Sequence, residues 1–311
     1  MPTEHKLARW KVVVAYLAFS LFALLFCLYL TFPYAAVAER VQREADAAGL
    51  YVKLGSLGPG LRGITASDVQ VSKKMGPADT KTPEPLMIKS VSLRPALFPP
   101  GLAFHANALG GKVDGSVGGL SGAALRIEWS GVDLSQGNLK AFSGVDLTGK
   151  ASGQISLDIP RATLGGAKTA EPDLGQASGS VKLSLDEVQV NGGTVSVPIA
   201  MYGPDPTPID LPKIVVGDID GAIKFEKGAG TIESFTAKGQ GLEVGMTGTL
   251  KLAKRIEYGE PNIELRLKTD PEFVKSLGVY GAGLAALAPD PKDPAWRVAR
   301  ISGYLGKPNF R

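Results

Sequence analysis

Residues 263–268 read IELRLK, and this short run shows the pattern that decides the fold. Three aliphatic residues alternate there with three charged ones, and residues 125–129 (LRIEW) repeat the alternation. A period of two turns one side of a strand towards an apolar interior and the other towards water, as in antiparallel sheets. Because this alternation dominates beyond Gly49, the sequence predicts a mainly β chain of antiparallel strands.

The composition also favours many short strands joined by turns. The 311 residues include 39 glycines and 22 prolines, whereas aromatic residues make up only 7%. Basic and acidic residues number 34 and 30, so the net charge of +4 is too small to predict a nucleic-acid partner. Cys27 is the only cysteine and lies in an apolar run, so we expect no disulfide and no thiolate metal site elsewhere.

A run of 21 uncharged residues, 12–32, lies near the N-terminus. At about 1.5 Å per residue, a helix of this length spans the roughly 30 Å hydrocarbon core of a bilayer. Lys6, Arg9 and Lys11 precede the run. The positive-inside rule therefore predicts a transmembrane helix that keeps residues 1–11 in the cytoplasm and sends the rest of the chain across.

An uncleaved anchor has two alternatives. The residues Ala-Val-Ala that end at Ala38 resemble a signal-peptidase site, so cleavage after Ala38 stays open. The apolar run is nevertheless longer than the about 7–15 residues of a typical signal core. A lipoprotein is excluded because Phe26 stands where a small residue must precede the lipidated cysteine.

The next segment, 33–48, places apolar residues at helical spacing with charges opposite, which predicts an amphipathic stalk helix. Gly49 follows as a natural C-terminal stop. The remainder, 49–311, is then one periplasmic β-rich domain, since no change in composition divides it.

A local motif recurs four times: glycine, any residue, an aliphatic residue, any residue, then Leu or Phe. It occupies residues 153–157, 179–183, 221–225 and 248–252. We interpret it as a glycine turn that opens a strand with fixed inward positions. If the sheet is open, its eight inward residues line an apolar trough: Ile155, Leu157, Val181, Leu183, Ile223, Phe225, Leu250 and Leu252.

Three further segments carry expectations of their own. Residues 203–212 contain four prolines and are predicted to form a stiff connection rather than a strand. Asp270 and Gly278 are typical of the start and stop of a short helix over 271–277. The segment 297–311 fits either a last strand or a mobile tail.

The sequence shows no catalytic motif in the structural context that such a motif requires. A GxGxxG match at 58–63 runs into an alternating strand rather than a crossover helix, so it does not indicate dinucleotide binding. His105 is the only histidine beyond the predicted anchor and lies on an alternating strand, which favours a surface role. The sequence thus predicts no enzyme, no cofactor and no metal.

Several stretches together form a recognisable layout: the stalk (ERVQREADAAGLYVKLGSL, 39–57), the run GSVKLSLDEVQV (179–190), VPI (197–199), LPKI (211–214), the strands with Gly217, Gly221 and Gly248, and the closing GYLGKPNF (303–310). This layout resembles the type II secretion system protein N family in its delta-proteobacterial form. That family is similar to the AsmA-like periplasmic proteins. The resemblance implies a large curved sheet, either an open trough or a partly closed barrel, behind one transmembrane helix.

Two functions follow from this resemblance. The first is a structural subunit of the type II secretion system in the bacterial inner membrane, with other secretion components as partners. An open sheet offers it unpaired edge groups for strand addition. The second is an AsmA-like lipid-binding or lipid-transfer module, with phospholipid as a further partner.

Overall fold

A computed structural model describes residues 9–47, 49–60, 63–73, 85–97, 100–120, 122–136, 140, 145–164, 167–197, 207–278, 281, 283–284 and 286–310. The helices with defined bounds include α1 (Arg9–Leu30), α2 (Tyr34–Ala47) and α3 (Pro271–Ser276). Pro33 separates the first two, because proline lacks an N–H and disfavours helical dihedrals in the residue before it. Among the described residues, none of the helices is both long and apolar enough to pass through a bilayer.

Strands make up 64% of the residues that the structure describes. Within the described residues they are β1 (Leu50–Lys53), β2 (Ser56–Gly60), β3 (Gly63–Lys73), β4 (Leu86–Leu97), β5 (Pro100–Ala108), β6 (Gly111–Gly118), β7 (Gly122–Asp133), β8 (Val145–Leu164), β9 (Ala167–Pro172), β10 (Ser178–Val197), β11 (Thr207–Leu211), β12 (Ile214–Glu226), β13 (Ala229–Gly239), β14 (Leu242–Lys251), β15 (Glu260–Thr269), β16 (Ala288–Pro289), β17 (Arg297–Tyr304) and β18 (Lys307–Phe310).

These strands form one antiparallel sheet in which most neighbours in sequence are neighbours in space. The ladders run from β3 to β8, then through β10, β12, β13, β14 and β15 to β17. The short strands β1 and β2 flank β3, and β16 and β18 flank β17. No ladder between described residues joins these two margins, so the sheet is not closed. The sequence-based prediction of a mainly β, antiparallel fold is therefore confirmed.

The register gives the sheet two chemically different sides. One row of opposed residues runs through Leu102, Val117, Leu125, Leu157, Gly179, Phe225, Gly230 and Leu250. The next row on that side runs through Phe104, Gly115, Ile127, Ile155, Val181, Ile223 and Ile232. We call this side the apolar face. The opposite side, the polar face, carries residues such as Arg126, which stands opposite Ser156.

Aromatic rings on the apolar face lie over glycines of the adjacent strand. The opposed pairs are Phe104–Gly115, Trp129–Gly153, Phe225–Gly230 and Phe235–Gly221. A Cβ at Gly115 would stand 2.3 Å from Phe104 Cε1, and one at Gly153 would stand 2.4 Å from Trp129 Cζ2. Because glycine has no side chain, each ring has room to lie against the adjacent strand. The ring in turn covers the backbone that glycine leaves exposed.

The interpretation of the repeated glycines as turns is wrong. Gly153, Gly221 and Gly248 lie inside β8, β12 and β14, and Gly179 is the second residue of β10. The rings of Trp129 and Phe235 explain why glycine occupies positions 153 and 221. At Gly179 a Cβ would come within 1.9 Å of Ser156 O on the neighbouring strand. Close approach, not chain reversal, requires glycine at these positions.

The structure changes one of the three segment predictions and selects one of two alternatives for another. Part of the proline-rich segment forms β11, which pairs with β10 along residues 193–197. Among the described residues β11 has this one partner, and a strand bonded on one side tolerates proline. Residues 297–310 form a hairpin of β17 and β18, which agrees with the last-strand alternative and not with a mobile tail. The predicted helix after Asp270 is confirmed as α3.

Both margins of the sheet are poor templates for an added strand. The flanking strands β1, β2, β16 and β18 have at most five residues each. Pro59, Pro289 and Pro308 remove backbone donors from three of them, and Lys307 adds a charge. Short, proline-bearing and charged margins are the devices by which proteins block strand pairing. This geometry disfavours the expected strand addition.

Candidate functional site: the apolar face

The apolar face is most deeply covered near the β8–β9 end of the strands. Five residues form a buried core cluster there: Leu157, Ile159, Ala177, Phe225 and Leu252. They come from β8, from β12 and from the segments before β10 and after β14. The cluster thus joins strands that are far apart in sequence.

The structure brings together seven of the eight residues predicted to line the trough. Leu157, Phe225 and Leu252 belong to the core cluster, and Ile155, Val181, Ile223 and Leu250 pack against it half-buried. Leu183 lies apart from them. It stands opposite Gly153 and Gly221, one row further along.

A short loop closes this end of the face. Residues 173–177, which we call the plug loop, contain a 3-10 turn whose Leu174 packs on the core cluster. Asp173 fixes the turn, since its Oδ1 accepts a hydrogen bond of 3.0 Å from Gly175 N. Gly228 N donates to Ala177 O at 2.8 Å, and Leu252 N donates to Gly228 O at 2.7 Å. These bonds tie the plug loop to the β12–β13 turn and to the end of β14.

Away from the plug loop, the same row of the apolar face becomes exposed. Leu157 is 8% exposed, whereas Val117 on β6 is 46% and Leu102 on β5 is 60% exposed. Leu125 lies between them and is half-buried. An apolar strip therefore runs from the covered cluster outwards over β7, β6 and β5.

We call the residues of β5, β6 and β7 on this row and the next the apolar strip. Its members with side chains are Leu102, Phe104, Val117, Leu125 and Ile127. The sequence prediction missed them, because it followed the recurring glycine motif, which β5, β6 and β7 lack. The alternation of apolar residues in 102–108 and 125–129 was the signal that could have found them.

The polar face carries paired charges. Arg126 Nη2 lies 2.8 Å from Asp158 Oδ1, and its Nη1 donates to Leu157 O at 2.9 Å. His105 Nδ1 lies 2.8 Å from Asp114 Oδ1, with both side chains substantially exposed. Within the described ranges, no group of three or more His, Cys, Asp or Glu side chains could hold a metal ion.

Arg266 and Asp290 form a covered ion pair on the polar face of β15. The Asp290 side chain is 7% exposed. The Arg266 Cζ atom lies 5.1 Å from the centroid of the Trp296 ring. The pKa of the Asp290 carboxyl lies below its ordinary value. The largest cause is the hydrogen bond of 2.8 Å that Lys292 N donates to Asp290 Oδ1, and the adjacent Arg266 lowers the pKa further. Burial of the carboxyl opposes this shift. This pair holds the 290–296 loop against the sheet.

Comparison with known proteins gave no relative: no family model matches the chain, and no curated protein or solved structure matches it significantly.

Proposed function

We propose that this chain is a non-enzymatic, periplasm-facing protein of the bacterial inner membrane that holds a phospholipid acyl chain on its apolar strip. The observation that carries the proposal is the row that passes from the 8% exposed Leu157 to the 60% exposed Leu102. A continuous apolar surface that ends against a plug offers an acyl chain a one-ended binding site.

The exposure of individual side chains supports an uncovered face, since Leu102 is 60% and Val117 is 46% exposed. Apolar side chains left in water are unfavourable by about 25 cal/mol per Å². A bound acyl chain removes that area from water, and each buried CH₂ contributes about 0.8 kcal/mol.

Membrane attachment in this proposal rests on the sequence. The uncharged run 12–32 follows three basic residues, and the positive-inside rule then directs the sheet to the periplasm. α2 packs on β1 and β2, so the N-terminal helices join the sheet at the margin beside β3.

Photo-crosslinking in cells that express the full chain tests the acyl site. A phospholipid with a photoactivatable acyl chain should give adducts on β5, β6 and β7. Val117→Glu should lower their yield several-fold, because a carboxylate on the strip must lose its hydration when an acyl chain binds. Ser116→Glu is the matched control, since it adds the same charge to the polar face of the same strand. Equal yields in the two variants, or adducts on the polar face alone, would refute the acyl site.

A second candidate is a structural subunit of the type II secretion machine. It is favoured by the resemblance in layout, from the stalk at 39–57 to the closing segment at 303–310. Deletion of the gene should then abolish export of folded proteins, and crosslinked secretion components should purify with the full chain. In this case Val117→Glu should leave export unchanged.

A further inference from the structure

Two turns at the same end of the strands as the plug loop form an exposed aromatic surface. The loop between β14 and β15 presents Ile256 and Tyr258, which are 61% and 54% exposed. The turn between β17 and β18 presents Tyr304 and Leu305, and Tyr304 is 51% exposed. We call these four residues together with Arg255 the aromatic tip.

The aromatic tip is held in one arrangement by backbone and ring contacts. Leu305 N donates to Gly259 O at 2.8 Å, and Gly306 N donates to Glu257 O at 2.9 Å. The Tyr258 and Tyr304 rings meet edge to face with centroids 6.4 Å apart. The Arg255 guanidinium lies 5.4 Å from the centroid of the Tyr258 ring. A surface fixed in this way exposes its apolar groups permanently rather than through loop motion.

Basic residues surround these apolar groups. Lys251, Lys254 and Lys307 flank the tip and are exposed, as is Arg255 within it. Two acidic residues, Glu257 and Glu260, lie in the same loop. Four cations against two anions give the tip a net positive charge, and the Arg255–Glu257 ion pair takes one charge of each sign.

We propose that the aromatic tip docks on the surface of an anionic lipid bilayer. Tyrosine rings favour the boundary between headgroups and acyl chains, where the ring is covered and the hydroxyl stays hydrated. Lys and Arg beside an anionic leaflet contribute about 1 kcal/mol each. A stable protein interface needs about 800 Å² and 20–30 residues on each partner, which a surface of five residues does not provide.

This surface is distinct from the acyl site. The tip lies on the β14–β18 side of the sheet, whereas the apolar strip lies on β5, β6 and β7. It recognises headgroup charge and the bilayer boundary, not a single extended acyl chain. The two proposals can therefore fail separately.

Vesicle binding to the immobilised full chain tests the tip. The chain is attached through an N-terminal tag and washed into detergent-free buffer. Vesicles of phosphatidylcholine, with or without 30% phosphatidylglycerol, are then passed over it. The parent should bind the phosphatidylglycerol vesicles several-fold more strongly, and raised salt should reduce the difference because exposed charges are screened.

Paired charge reversals identify the surface responsible. Lys254→Glu with Arg255→Glu should abolish the preference for phosphatidylglycerol vesicles. Lys182→Glu with Lys238→Glu makes the same change in charge at exposed positions on β10 and β13, and it should preserve the preference. Far-ultraviolet circular dichroism confirms that each variant is folded. Equal binding to the two vesicle types by the parent, or equal loss in both pairs of variants, would overturn the proposal.

Discussion

Gly228 lies where the plug loop crosses the β12–β13 turn. Its φ is 80°, a region that side-chain-bearing residues rarely adopt. A Cβ there would also stand 2.0 Å from Gly175 O. Position 228 thus requires glycine for its backbone angle and for the close approach of the loop that covers the core cluster.

We expect Gly228→Ala to destabilise the sheet by more than about 2 kcal/mol, since it adds a backbone collision to the strain of positive φ. Gly131→Ala is the control for strain alone, because Gly131 has φ 62° with nothing within 4 Å of its Cβ site. Thermal melts of the two variants separate the contributions. Similar losses in both would mean that the plug loop does not press on the turn.

Asp290 should make stability depend on pH. The pKa of its carboxyl is lowered in the folded protein. The charged carboxylate therefore stabilises the fold above the unfolded pKa of about 3.9, and this stabilisation is lost as the pH falls through the folded pKa. We expect Asp290→Asn to lower Tm by several degrees at pH 7, with the difference shrinking below about pH 4.

Melting curves at pH 7, 5, 4 and 3 check this expectation. Glu233→Gln is the control, because Glu233 is exposed on β13 and the same removal of charge should leave Tm nearly unchanged at every pH. A difference for Asp290→Asn that stays constant down to pH 3 would contradict a role for the carboxylate charge.

At the scale of the elements, alternation predicts the strands but not their contacts. The period of two in 263–268 marks β15, and the register then places Leu265 opposite Met246 and Ala299. Sequence alone does not supply that register, because it depends on which strands pair and where bulges shift them. One such shift lies in β10 between Leu185 and Val188. The sequence shows the recurring glycines, but it does not show which aromatic rings lie over them.

We expect Gly115→Ala to destabilise the protein by about 1–3 kcal/mol, because the added methyl group must displace the Phe104 ring. Gly58→Ala in β2 should change stability little, since nothing lies within 4 Å of its Cβ site. A double-mutant cycle with Phe104→Ala checks the cause by chemical denaturation. If Gly115→Ala costs as much in the Phe104→Ala background, the ring is not the source of the loss.

At the scale of the whole molecule, the sequence predicts a mainly β chain, and the structure brings together seven of the eight residues expected to line a trough. It does not predict the plug loop. Leu174 and Ala177 lie in an irregular segment without periodicity, and they meet Leu252 only because β8, β10, β12 and β14 end at the same side. Contacts of this kind, between residues far apart in sequence, form only when the whole sheet is assembled.

The open sheet makes a prediction about overall dimensions. A fragment of residues 49–311 keeps every strand that the structure describes, and it loses α2, which packs on β1 and β2 at the margin beside β3. We therefore expect it to fold alone with a mainly β circular dichroism spectrum. A compact domain of its length has a radius of gyration of about 18 Å. Because the sheet is not closed and no element of the described residues forms a second layer over the apolar strip, small-angle X-ray scattering should give a clearly larger value. A radius near 18 Å would mean that the sheet closes on itself in solution, and the apolar strip would then be unavailable to an acyl chain.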